Sequence, residues 1–140
     1  MLKQFGGIIT PDCSLALGQS DCLQQTNTYF HCAVGFYLQE NGIAVIPNVR
    51  FNDVRTYEFC YDGMEKDKTV AVGTHGCIKR TEDKKLFKSG LEEMVKCLSP
   101  KTIIVYGAAP DDIFGQYAKR GIDIIPFESE FSKSRKQVTA

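Results

Sequence analysis

Lys68-Thr-Val-Ala-Val-Gly-Thr-His-Gly-Cys77 is a short apolar run that ends in a polar turn bracketed by glycines. The same grammar occurs four more times: an apolar run, then proline or glycine beside polar residues, with helical patterns between the runs. Strand–helix–strand repeats of this kind build parallel sheets, because crossover connections share one hand and bring every strand back in the same direction. The polar turns then collect at one end of the sheet.

The runs predict strands near 5–12, 43–49, 70–72, 102–106 and 122–127. Ile8 and Ile9 form the buried part of the first, which Pro11 ends because it has no N–H to donate. Between the first two runs, residues 21–39 predict a helix capped by Ser20 or Asp21 and stopped at Asn41-Gly42. Its apolar positions, Leu23, Thr26, Tyr29 or Phe30, Ala33, and Phe36 or Tyr37, recur at helical spacing and predict one broad core-facing face. Asn52 or Asp53 begins a short second helix through Tyr61. Thr81 is expected to cap a third, with Leu86 or Phe87, Gly90 or Leu91, Met94 or Val95, and Leu98 on one face and Ser99-Pro100 as its end. A fourth runs through Arg120, with Ile113, Phe114 and Tyr117 inward.

The expected fold is one α/β domain over residues 1–127: a three-layer, mostly parallel five-stranded sheet of βα units. The alternative is an incomplete βα barrel, since five units cannot close an eight-stranded one. Residues 128–140 read as a polar and basic tail.

Seventeen basic and seventeen acidic side chains cancel, which argues against a nucleic-acid partner. There is no long apolar run for a membrane span and no apolar signal segment at the N-terminus, so a cytoplasmic setting is expected. The six cysteines form no C-x-x-C pair, and only His31 and His75 could join them as nitrogen ligands. Reduced, mostly buried thiols are expected, with no metal site and no cofactor motif.

Ligands of parallel α/β sheets bind beyond the carboxyl ends of the strands. His75, between Gly73 and Gly76, is the candidate acid–base group, since an imidazole titrates near neutrality. Asp12 could orient it, hold Mg²⁺, or simply cap a turn. Arg50 could clamp a phosphate or carboxylate, or pair with Asp53 or Glu58. Asn48, Thr74, Tyr106 and Asp111 complete the candidate ligand-binding set. Cys13 and Cys77 lie where a thiol could meet His75. The glycine turns at 73–76 and 107–112 could hold a phosphate, although neither has P-loop or dinucleotide spacing.

Ile46-Pro-Asn-Val-Arg-Phe, Thr56-Tyr-Glu-Phe-Cys-Tyr-Asp-Gly63, Val70-Ala-Val-Gly-Thr-His-Gly76, Phe87-Lys-Ser-Gly-Leu-Glu-Glu-Met94 and Ile103-Ile-Val-Tyr-Gly107 occur in that order and spacing. Together with Thr10-Pro-Asp-Cys-Ser14 they resemble a bacterial and phage family known as domain of unknown function 4417. The resemblance implies a phage or mobile-element setting and brings no activity with it. Many members are longer before the Thr-Pro-Asp element, which implies a short form with an exposed edge or face here.

Two readings follow. In one, the chain binds a small phosphorylated or nucleotide-like ligand at the strand ends, as an enzyme or as a binding domain. In the other, it is a non-enzymatic protein that engages a host or defence protein through its helices and basic tail; a homo-oligomer that covers the exposed edge or face is a further expected partner.

Overall fold

The computed structural model describes residues 2–128. The tail expected beyond Glu128 lies outside the described residues. Five parallel strands and three α-helices follow one another: β1 (Ile8–Ile9), α1 (Asp21–Glu40), β2 (Val45–Ile46), β3 (Thr69–Gly73), α2 (Thr81–Leu98), β4 (Thr102–Tyr106), α3 (Asp111–Lys119) and β5 (Asp123–Phe127). A 3₁₀ turn at Val54–Glu58 stands where the second helix was expected.

The strands form two sheets, β1-β2 and β3-β4-β5, and not one sheet of five. A single bridge between Asn48 and Ala71 links them. Pro47 explains the break. Its carbonyl accepts from Ala71 N–H at 2.8 Å, and Val49 N–H donates to Ala71 O at 2.7 Å. Within a parallel pair, one residue's N–H and C=O face the same neighbouring strand. The next bond back would need an N–H from Pro47, which has none.

The three-layer expectation also gives way. Val70, Val72, Ile103 and Val105 are buried in one cluster with Phe87, Leu91 and Met94 of α2 and with Ile113, Phe114 and Tyr117 of α3. Both helices therefore cover the same face. Strands taken in the order 3-4-5 with crossovers of constant hand must place successive helices on one side. Side chains alternate along a strand, so the other face carries Ile104, Tyr106, Ile125 and Phe127, and the last three are exposed.

The inward face of α2 is the one its periodicity predicts: Phe87, Gly90, Leu91, Met94, Val95 and Leu98 are buried. Its cap differs. Arg80 occupies the N-cap with no side-chain hydrogen bond, and Thr81 is already helical. Gly90 is required because Phe51 lies where a Cβ would project.

Helix α1 reverses the expected orientation. Ser20 caps it by accepting from Leu23 N–H, and Gly42, at φ 72°, follows its end. The buried stripe, however, is Gln24, His31, Gly35 and Leu38, while Leu23, Tyr29, Phe30, Val34, Phe36 and Tyr37 are exposed. The helix packs on β2 and on the loops after β1 and β2 through its small and polar residues. Gly35 closes on Thr10 Cγ2 and Val45 Cγ1, Gln24 accepts from Asn52 Nδ2 (3.1 Å), and His31 meets Thr10 Oγ1 (3.0 Å). Buried polar groups need hydrogen-bonding partners, and the polar stripe of α1 finds them in Asn52 and Thr10.

Candidate functional site

The loops after β1, β2 and β3 meet at the carboxyl ends of their strands. They enclose a cavity of about 290 Å³ together with the first turns of α2. Arg50 lines it, joined by Leu15, Phe51, Gly73, Cys77 and Phe87. The walls are mainly apolar and the most prominent polar group is the guanidinium. Asp83 adds a carboxylate at the α2 side.

Arg50 is held from two directions. Its Nε lies 3.0 Å from Asp12 Oδ1. Nη1 would sit 3.2 Å from a Cβ on residue 73, so glycine at the end of β3 keeps that position clear. The side chain is only 18% exposed, against 51% for Asp12. The Nε N–H does not point along the line to the carboxylate. The pair is an ionic contact, and the buried Nε keeps an unsatisfied donor. Such a donor costs about 1–3 kcal/mol when water cannot reach it.

Of the residues expected at the site, Asp12 and Arg50 are thus in contact. The anticipated partner Asp53 pairs instead with Arg55, at 2.8 Å. Thr74 is buried and turned away from the cavity: its hydroxyl donates to Ala108 O at 2.8 Å and ties the β3 turn to the loop after β4. His75 is exposed on the same turn, whose Gly73, Gly76 and Cys77 line the cavity. That turn closes with Cys77 N–H donating to Thr74 O (3.1 Å), and Gly76 adopts φ 82°, a conformation glycine reaches without strain. Asn48 uses its backbone N–H to reach Thr10 Oγ1 at 2.8 Å. Tyr106 ends β4 on the face opposite α2 and α3. Asp111 opens α3 with its carboxylate over Gly115 of its own helix.

Sequence reasoning passed over His31 except as a metal ligand. It is buried, 3.0 Å from Thr10 Oγ1 through Nδ1, with the Pro11 carbonyl at 3.4 Å. Burial pushes its pKa below the ordinary value, while the Pro11 carbonyl and the Asp12 charge oppose that shift. A second cavity, about 470 Å³, opens between α1 and the start of β3, lined by Thr10, His31, Gln39, Met64, Lys68 and Thr69. The signal for His31 was its seven-residue spacing from Gln24 on the polar stripe of α1.

Among the described residues, no group of three or more His, Cys, Asp or Glu converges to hold a metal ion. All six cysteines are free thiols. Burial pushes Cys60 up to about 12 and raises Cys32 and Cys97, so these three are poor nucleophiles at neutral pH. No helix among the described residues is long and apolar enough to cross a membrane.

Comparison with known proteins agrees with the spread of motifs along the chain. "Gene 1 protein" of Mycobacterium phage L5 is 35% identical over 106 residues, which is 76% of this chain and 46% of the relative. "Gene 1 protein" of Mycobacterium phage D29 is 32% identical over 106 residues, covering 39% of its length. The chain thus spans less than half the length of these relatives. No solved structure matches it significantly. The profile of the family described as "Domain of unknown function (DUF4417)" matches residues 1–128, and the chain belongs to that family.

Proposed function

We propose that this phage-type α/β protein is a cytoplasmic binder of a small phosphorylated or nucleotide-like ligand, seated in the cavity at the carboxyl ends of β1 to β3. The observation that carries this reading is Arg50. A guanidinium that is mostly buried, steadied by Asp12 and left with an unsatisfied buried donor, is suited to receiving an anion. Phe51 and Phe87 offer apolar walls for a planar ring beside it. The volume lies at the lower end of ligand cavities, roughly 300–1,000 Å³, and favours a mononucleotide over a dinucleotide. Cys77 lines the cavity, Asp12 contacts Arg50, and His75 lies on the β3 turn beside Gly76 and Cys77, so any proton transfer would fall to His75 or Asp12.

The test is thermal unfolding with inorganic phosphate and with each common mononucleotide. At least one should raise the Tm of the wild-type chain, and Arg50→Ala should abolish the increase while Arg50→Lys retains part of it. Unchanged Tm values for wild type at millimolar ligand would remove this reading. Where a nucleotide does bind, an His75→Ala variant that binds it normally would limit His75 to chemistry or to no role.

A further inference from the structure

We infer that the outward face of α1 is a dimer interface, occupied by α1 of a second copy in antiparallel orientation. Leu23, Tyr29, Phe30, Val34 and Tyr37 are 39–68% exposed and lie outside the buried stripe Gln24, His31, Gly35 and Leu38, while Phe36, also exposed, borders the second cavity. The usual polarity of a surface helix is therefore inverted. Residues 22–39 contain no Asp, Glu, Lys or Arg, and the one histidine among them is turned inward. The face offers nothing to a charged partner and no basic residue to an anionic membrane surface.

The area fits a second copy. The five side chains other than Phe36 present on the order of 500 Å² to solvent, from their exposed fractions and the size of aromatic side chains. That is in the upper range of what a soluble monomer shows in one patch, and it matches the smaller specific interfaces, which bury about 600 Å² per partner or less. The helix is 20 residues long, enough to carry such a contact alone.

The pattern also selects the orientation. Leu23, Phe30 and Tyr37 recur every seven residues. A two-fold axis at Phe30 places Leu23 against Tyr37 of the other copy and Phe30 beside its own equivalent. It brings Glu40 to the other copy's Ser20 N-cap, where the helix dipole favours a carboxylate. A parallel pair would set Asp21 against Asp21 and Glu40 against Glu40. The isologous, antiparallel arrangement is therefore favoured.

Sedimentation of the full 140-residue chain tests this. At concentrations on the order of 50 μM, where a contact of this size is populated, the wild type should sediment at twice its chain mass. Phe30→Glu and Tyr37→Glu should each sediment as monomers with an unchanged far-UV circular dichroism spectrum, since both side chains are more than half exposed. Gln116→Glu, an equal charge change on exposed α3 surface, should remain dimeric. A monomeric wild type would overturn the inference, whatever other protein the face captures. So would a folded Phe30→Glu or Tyr37→Glu chain that stays dimeric.

Discussion

Arg50 and Gly90 act on the same cavity from different sides. Arg50 supplies its charge, while Gly90 of α2 makes room for Phe51, whose ring forms part of the wall. A methyl group at position 90 has no space unless Phe51 moves. Gly90→Ala should therefore destabilise the chain by about 1–3 kcal/mol in urea unfolding, despite alanine's better helix propensity. It should weaken any ligand bound beside Phe51 as well. An unchanged urea midpoint would show that the ring repacks freely. His31 gives a second residue-scale expectation, with its sign fixed by burial. Its folded pKa lies below the ordinary 6.5. As the pH falls past 6.5 the unfolded chain takes up a proton that the folded chain resists, so stability drops through that window. Above it, the contribution is constant. Urea midpoints measured across the window should show this slope, and His31→Gln should flatten it.

The elements differ in how their ends are secured. Ser20 caps α1, whereas α2 begins at Arg80 without a side-chain acceptor for its first N–H groups. The extended backbone at residue 80, φ −96° and ψ 149°, already suits a capping serine. Arg80→Ser should stabilise the chain by about 1 kcal/mol, and Thr81→Ala should change stability by less than about 0.5 kcal/mol. A denaturation series on the two variants separates the two positions. The expectation that Thr81 caps α2 followed from a residue type that often fills that role. The structure places the boundary one residue earlier, where the chain turns out of the β3–α2 loop.

Among the described residues, two apolar faces are exposed: the outer side of α1, and the side of β3-β4-β5 that carries Ile125 and Phe127. Both follow from a singly wound arrangement, which uses its helices on one side of the sheet only. The phage relatives are more than twice as long as the region they share with this chain. Within the described residues, the α1 face is the one on which the proposed dimer contact rests.

The sequence by itself determined the local units. Glycines and prolines mark the turns, the apolar runs mark the strands, and the seven-residue and three-to-four-residue spacings mark the helices, because these depend on backbone geometry that neighbouring residues set. It therefore located β3, β4, β5, α2 and α3 closely, together with the buried residues of β3, α2 and α3. It also put Asp12 and Arg50 at one end of the sheet. What only the tertiary structure decided is which face of each unit finds a partner. The apolar stripe of α1 reads as core from its spacing, yet the packed chain buries the polar stripe against Thr10, Val45 and Asn52. Pro47 reads as a strand exit, yet it splits one expected sheet into two. Thr74 reads as a ligand group, yet it is used to join two loops. Periodicity records that a face is apolar or polar; the long-range packing of loops and strands settles what that face meets.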